Sequence, residues 1–288
     1  MGPGRGRLRV FLVASCALAW GLWTTGCVHP AAARGRRALD DRAFGTASAA
    51  LEQAVREEPE ELSYWVDLGR AYVGEGRGPE AVRAFEHACT LGPEQARLKV
   101  YLGHALELSR QYDLAEAAYR AAVSLEPQRA WTHRVLGTRL LRWGRPQDAV
   151  EPLRAAVALE PDHAETRHAL AIALTQSGDP QAAERTLRDA LQRFPEERSL
   201  QLGLAALVIN RAGYEEALTI YGEILARSPE FAPAWVGRAL LLAQLGRTSQ
   251  AAVELERAVQ LDPRNRVYRE RLGLSAQARP GSQPEENP

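Results

Sequence analysis

Seven prolines recur along the chain at a constant spacing of 34 residues, and this register limits the fold more than any other feature. They are Pro59, Pro93, Pro127, Pro161, Pro195, Pro229 and Pro263. Counting back from them gives six complete units, 62–95, 96–129, 130–163, 164–197, 198–231 and 232–265. Position 20 is alanine in all six units and position 8 is always glycine or alanine. A fixed period of this length is typical of a repeat protein in which stacked units share one core.

Each unit is long enough for two helices and two short turns. Thirty-four residues accommodate two helices of about 14 residues, each about 21 Å long. Glycine at position 15, present as Gly76, Gly144, Gly178 and Gly246, favours the end of the first helix. The proline disfavours helix at the residue before it and ends the second helix. Small residues at positions 8, 20 and 27 allow the two helices to approach closely, while larger residues at 4, 7, 11 and 24 are expected to fill the space between pairs.

The letters of the first unit resemble the tetratricopeptide repeat family at every signature position. These residues are Trp65, Leu68, Gly69, Tyr72, Ala81, Phe85, Ala88 and Pro93. The resemblance implies an all-α tetratricopeptide α-solenoid, a right-handed superhelix of helix-turn-helix repeats with a C-terminal capping helix. The expected organisation is a signal peptide at 1–27, a tether at 28–40, a half-repeat helix at 41–61 without a partner helix, six repeats at 62–265, a capping helix at 266–278 and a disordered tail at 279–288.

The first 27 residues are typical of a bacterial export signal. Three arginines precede an apolar run from Val10 to Trp23, which is short for a membrane span of about 20 residues. The following Thr24-Thr25-Gly26-Cys27 resembles the lipobox of bacterial lipoproteins and predicts lipidation at Cys27. Cleavage near Ala31 or an uncleaved anchor are the alternatives. Val28 after the cysteine, by resemblance, implies an outer-membrane anchor with the body facing the periplasm.

In this family the first helix of each unit lines a concave groove, and positions 2, 5, 9, 12 and 13 tend to face the ligand. The predicted groove is polar and mostly basic in its middle and apolar toward the C-terminus. Its residues are Arg70, Arg97, His104, Trp131, Arg134, Thr138, Arg142, His168, Leu202, Ile209, Val236 and Leu240. Two alternatives remain open: the capping helix covers the apolar end, or the arginines only solvate a surface. Trp131 either faces a partner or packs on a neighbouring repeat.

The composition and the remaining motifs give no sign of catalysis. The 36 basic and 36 acidic residues give no net charge, which argues against a nucleic-acid partner. His163 and His168 lack the opposing ligands that a closed metal site needs. Cys89 and His87 point to different sides of one helix and cannot form a nucleophile and base pair. The sequence therefore predicts no enzyme, no metal and no cofactor.

These features predict a lipid-anchored adaptor or assembly factor in the bacterial cell envelope that holds a protein client in its groove. Repeats behind a lipobox resemble the layout of the type IV pilus pilotin family, whose members help the secretin assemble. A scaffold for cell-wall hydrolases, proteases or β-barrel assembly is the first alternative. The second is an accessory subunit of polysaccharide synthesis or export.

Overall fold

The computed structural model describes residues 29–277, and this part of the chain is entirely helical. It contains fifteen helices and no strand. Their bounds are α1 Pro30–Asp40, α2 Phe44–Glu57, α3 Leu62–Gly74, α4 Gly78–Leu91, α5 Ala96–Leu108, α6 Tyr112–Leu125, α7 Ala130–Arg142, α8 Pro146–Leu159, α9 Ala164–Gln176, α10 Pro180–Arg193, α11 Arg198–Asn210, α12 Tyr214–Arg227, α13 Ala232–Gln244, α14 Thr248–Leu261 and α15 Arg266–Gln277.

Consecutive helices pair, and successive pairs pack on one another within two compact units, which are larger than the 34-residue repeats: the first ends at Gly92 and the second begins at Pro93. In the first unit, α1 pairs with α2, α3 pairs with α4, and α2 packs on α3. In the second unit, α5 to α14 form five pairs, the second helix of each pair packs on the first helix of the next, and α15 packs on α14. The all-helical repeat fold predicted from the sequence is confirmed.

The small residue at position 8 is required because a bulky side chain from position 24 lies directly against it. A Cβ added to Gly103 would lie 2.5 Å from the ring of Tyr119, and one added to Gly137 would lie 2.5 Å from Cγ of Leu153. Tyr119 and Leu153 are fully buried. The helix backbones of each pair therefore approach as closely as the sequence pattern predicts.

Position 15 adopts the left-handed backbone conformation in every pair, including those where it is not glycine. The residues are Arg42 (φ 57), Gly76 (φ 75), Arg110 (φ 59), Gly144 (φ 72), Gly178 (φ 95), Ala212 (φ 64) and Gly246 (φ 76). The turn that follows is closed by backbone hydrogen bonds, such as Arg145 N to Leu140 O at 2.9 Å. The surrounding repeat imposes this turn even on side chains that disfavour it.

Position 4 carries a hydrogen-bond donor as well as bulk. In five repeats its side chain donates to the carbonyl oxygen of the proline six residues before it, at 2.7–3.0 Å. The pairs are Trp65 with Pro59, His133 with Pro127, Arg167 with Pro161, Gln201 with Pro195 and Trp235 with Pro229. The expectation that position 4 only fills space is therefore incomplete. These residues share an N–H group that binds the loop between pairs.

The predicted tether at 28–40 and the unpaired half-repeat at 41–61 are wrong, because α1 is the missing partner of α2. His29 caps α1 by accepting a hydrogen bond from Ala31 N at 3.2 Å. A Cβ added to Gly35 would lie 2.5 Å from Cγ of Leu51, the same approach as in the later pairs. Arg36 reaches the next pair and binds Asp67 at 2.7 Å. The helices α1 and α2 thus form a seventh helix pair, which the repeat letters do not reveal because α1 has alanine and arginine where the signature has large apolar residues.

The C-terminal end also departs from the repeat signature, at Arg238. Leucine is expected at this position 7. The Arg238 Nε instead donates to Glu254 Oε2 at 2.9 Å, and its guanidinium lies 5.1 Å from the ring centroid of Trp235. An ion pair within the pair of helices thus replaces an apolar contact. The predicted capping helix forms as α15, with Tyr268 packed against the adjacent core, whereas the signal peptide and the tail beyond 277 lie outside the described residues.

Candidate protein-binding groove

The first helices of successive pairs contact one another in the second unit. The contacts join α5 to α7, α7 to α9 and α9 to α11. Residues on the accessible side of these four helices therefore form one surface, which we call the A-helix face. It contains most of the predicted groove residues. Three predicted groove residues lie on other helices. Arg70 is on α3, in the first compact unit, and Val236 and Leu240 are on α13.

Two of the predicted groove arginines are already paired with carboxylates. Arg70 binds Asp67 at 3.0 Å and Arg134 binds Glu160 at 2.8 Å. Arg97 and Arg142 are exposed, and within residues 29–277 neither has a carboxylate partner. The middle of the groove is therefore less basic than its arginine content suggests, and its uncompensated charge is concentrated at these two side chains.

Four side chains from α5, α6 and α7 join in a network of buried and half-buried groups near Arg142. Glu107 Oε2 accepts the hydroxyl of Tyr119 at 3.0 Å and lies 3.4 Å from Nη1 of Arg139. Arg139 Nη2 lies 3.0 Å from Nε2 of His104, and the His104 ring packs edge-on against Tyr119. Arg139 Nε is buried without a hydrogen-bond partner. We call these four residues and Arg142 the polar cluster.

The environment of the polar cluster fixes its charge. Burial lowers the pKa of His104, and the nearby positive charge of Arg139 lowers it further. Burial raises the pKa of Tyr119, and the charge of Glu107 adds to that rise. At neutral pH His104 and Tyr119 are therefore uncharged, and Glu107 is the single carboxylate for two guanidinium groups. The polar cluster carries one net positive charge.

Trp131 and Thr138 are held by contacts inside the chain. The indole Nε1 of Trp131 donates to Glu126 Oε2 at 3.2 Å, and the side chain is half-buried. The hydroxyl of Thr138 donates to the carbonyl of Arg134 at 2.8 Å on its own helix. Trp131 thus packs on the preceding turn and keeps part of its ring accessible, whereas the Thr138 hydroxyl is occupied.

The predicted apolar end of the groove is smaller than its sequence suggests. Val236 is 9% exposed and belongs to the hydrophobic core, so its assignment to the groove is corrected. Leu202 and Ile209 are half-buried, and Leu240 is 40% exposed. The nearly all-apolar α11 is explained by burial on several sides, since Leu200, Leu204, Leu207 and Val208 all lie in the core.

A separate apolar pocket of about 230 Å³ opens on the A-helix face between α9 and α11. Small residues lie along it, and Ile172, 38% exposed, is on its wall. The lining consists of His168, Ala171, Ile172, Thr175, Gln176, Leu187, Gly203, Ala206, Leu207 and Asn210. Burial lowers the pKa of His168, so this predicted groove residue is a neutral wall of the pocket. We call this feature the apolar pocket.

Sequence reasoning missed Ile172 and Arg139 as members of this surface. Ile172 stands at position 9, a position expected to face ligand, in a unit whose other groove residues are polar. Arg139 stands at position 10, where the other five units have alanine or leucine. That break in the pattern is the signal that marks it. Its partners on α5 were not deducible from the period alone.

A larger cavity, about 580 Å³, lies between α12, α13 and α14, and is lined by both charged and apolar side chains. Arg238 and Glu254 line it as a pair, so their charges are already matched. No cluster of His, Cys, Asp or Glu in residues 29–277 could hold a metal ion. None of the fifteen helices is long and apolar enough to cross a membrane.

Family models for tetratricopeptide repeats match residues 32–96, 66–132, 140–209 and 214–274. The chain belongs to the tetratricopeptide repeat family. The repeats of this family bind protein partners, and its fold is typically a non-catalytic scaffold. No curated protein matches the chain.

Solved tetratricopeptide structures share the fold at low sequence identity. A tetratricopeptide repeat protein from Parabacteroides merdae is 16% identical with a TM-score of 0.59, and the match covers 85% of this chain and 97% of that one. The C-terminal part of a repeat protein from Cytophaga hutchinsonii is 14% identical with a TM-score of 0.65, covering 82% and 97%. The pilF protein of Pseudomonas aeruginosa is 20% identical with a TM-score of 0.55, covering 74% and 97%.

Proposed function

We propose that this tetratricopeptide protein is an envelope adaptor that holds a protein client on its A-helix face. The observation that carries the proposal is the juxtaposition on one surface of an uncompensated positive cluster and an open apolar pocket. A surface of this kind supplies both the polar and the apolar contacts from which protein interfaces are built. Binding, not chemistry, is the activity that these groups support.

The proposed location is the outer membrane, with the body in the periplasm. It rests on the export signal and on the lipobox-like sequence that ends at Cys27. A protein held there meets envelope clients.

Assembly of a type IV pilus secretin is the first client pathway we propose. The layout of repeats behind a lipobox supports it, and the pilF structure has a comparable repeat fold. Cell-wall hydrolases, proteases, β-barrel assembly proteins and polysaccharide export complexes are the alternative clients, and the experiment below distinguishes them.

Photo-crosslinking in cells tests the adaptor function directly. A photoreactive amino acid is placed at Ile172 on the apolar pocket or at Trp131 in the first turn of α7, and adducts are identified by mass spectrometry. Arg154, exposed on the second helix of its pair, is the control position. We expect the same envelope protein at both groove positions and not at Arg154. A secretin would support the pilus pathway, and equal labelling from all three positions would contradict the groove.

The anchor is tested separately by Cys27→Ala. This substitution should abolish lipid labelling and move the protein from the membrane to the soluble fraction. Labelling that persists in the Cys27→Ala protein would show that the acylated residue lies elsewhere.

A further inference from the structure

We propose that the A-helix face recognises an extended client segment carrying an acidic side chain and a large apolar side chain about five or six residues apart. The acidic group binds the polar cluster and the apolar group enters the apolar pocket. This inference rests on the proposed function, because it specifies the chemistry of the client.

The polar cluster lacks one carboxylate. Glu107 is shared between Arg139 and the Tyr119 hydroxyl, and it is the only carboxylate in the network. Arg142 lies close enough for its charge to act on His104 and on Tyr119, and within residues 29–277 it has no ion pair. Its exposed guanidinium has a planar set of donors suited to a carboxylate. Charge complementarity therefore selects an acidic group for this site.

The buried nitrogen of Arg139 shows that the network holds more donors than acceptors. Arg139 Nε donates to no group, although both terminal nitrogens of the guanidinium have partners. Buried donors in proteins are nearly always satisfied. A carboxylate bound at the exposed Arg142 would compensate the net positive charge of the network without contacting the buried Nε of Arg139.

The apolar pocket has the size and lining for one large apolar side chain. Its volume of about 230 Å³ exceeds the ~150 Å³ of a cavity that accepts benzene. Ala171, Gly203 and Ala206 supply small surfaces along it, and Ile172 supplies an apolar wall. A leucine, methionine or phenylalanine side chain fits this space, whereas a charged group would lose its solvation there.

The positions of the two sites fix the spacing in the client. The polar cluster lies between α5 and α7, and the apolar pocket lies between α9 and α11, so the sites are two steps apart along the row of first helices. Helices pack at about 8–10 Å, which places the sites about 16–20 Å apart. An extended peptide rises about 3.3 Å per residue, and about five or six residues span that distance.

Synthetic peptides test the inference. Each is built from Gly, Ser and Thr and carries one Glu and one Leu six residues apart, and both orders of the two residues are made. Binding of the fluorescein-labelled peptides to the full chain is measured by fluorescence anisotropy. We expect one order to bind, and its affinity to fall about tenfold when Glu becomes Gln or Leu becomes Ser. Moving the two residues to a separation of two should cause a comparable loss.

Two variants locate the contacts on the protein. Arg142→Gln should lower the affinity for the Glu peptide about tenfold and leave the affinity for the Gln peptide unchanged. Ala206→Phe, at an exposed position on the pocket lining, should lower the affinity for the Leu peptide and leave the affinity for the Ser peptide unchanged. Arg97→Gln and Ala158→Phe are the matched controls, since Arg97 is the other unpaired groove arginine and Ala158 is exposed on α8.

The inference is overturned if peptide affinity does not depend on the charge of the acidic residue, on the spacing between the two residues or on these variants. Equal affinity for the Glu and Gln peptides, or equal effects of Arg142→Gln and Arg97→Gln, would exclude the polar cluster as the acidic site. If the crosslinked client still binds the Arg142→Gln and Ala206→Phe proteins at full strength, the adaptor function stands and this recognition rule fails. Absence of any client at the groove positions would contradict the adaptor function itself.

Discussion

Exchanging alanine and glycine at position 15 tests whether the repeat forces a left-handed residue at the end of each first helix. Ala212 has φ 64 and Gly144 has φ 72 at the same place in their units. A Cβ in this conformation costs roughly 1–2 kcal/mol, whereas glycine costs roughly 0.5–1 kcal/mol through the freedom of the unfolded chain. Ala212→Gly should therefore stabilise the protein by about 0.5–1 kcal/mol, and Gly144→Ala should destabilise it by a similar amount.

Steric contacts do not complicate this pair of substitutions. A Cβ added to Gly144 meets no atom within 4 Å, so its effect comes from backbone conformation. Urea unfolding followed by far-ultraviolet circular dichroism measures the free energies, and each kcal/mol should shift Tm by roughly 2–4 °C. The control is Ala117→Gly at an exposed position inside α6, where glycine should cost about 1 kcal/mol. If Ala212→Gly destabilises the protein as Ala117→Gly does, the left-handed turn is not under strain and the reasoning fails.

Three further substitutions test the packing, the loop hydrogen bonds and the polar cluster. Gly103→Ala forces a Cβ to 2.5 Å from the Tyr119 ring and should lower the free energy of unfolding by about 1–3 kcal/mol, measured by urea titration. Gln201→Leu removes the donor that lies 2.7 Å from the Pro195 carbonyl and should cost about 1 kcal/mol in the same assay. Burial holds the pKa of His104 below its usual 6.5. As the pH falls below 6.5, the unfolded chain therefore takes up a proton at His104 before the folded protein does. The contribution of His104 to the free energy of unfolding should be constant above that pH and decline below it. His104→Gln should flatten that decline in Tm measured against pH, and an unchanged slope would exclude His104 as its source.

The fold was predictable because the 34-residue period records local packing that repeats in each unit. Gly137 against Leu153 and Trp65 beside Pro59 involve residues within one unit or its adjoining turn, and these separations are constant. The first helix pair was missed because α1 keeps only the small residue Gly35 and lacks the large signature residues. The small residues of α1 pack on α2 without large signature side chains, and a pattern of letters does not show that packing.

The groove was less predictable because its charges are compensated by residues far along the chain or on another helix. Arg134 is neutralised by Glu160, 26 residues away, and Arg139 by Glu107 on another helix. Neither partner follows from a list of residues at groove positions. Val236 was assigned to the groove by its position, yet the neighbouring helices bury it. Position within the repeat predicts which helix face a residue occupies, and the identity of its neighbours decides whether the side chain remains available.

The start of α1 at Pro30 has a consequence for how the protein would sit at a bilayer. Only three Cα–Cα links separate Pro30 from Cys27, and at 3.8 Å each they span at most about 11 Å. The headgroup zone of one leaflet is about 5–7 Å thick. An acyl chain on Cys27 would therefore hold the start of α1 within about 11 Å of the acylated residue, and a client would have to come to the membrane to be bound.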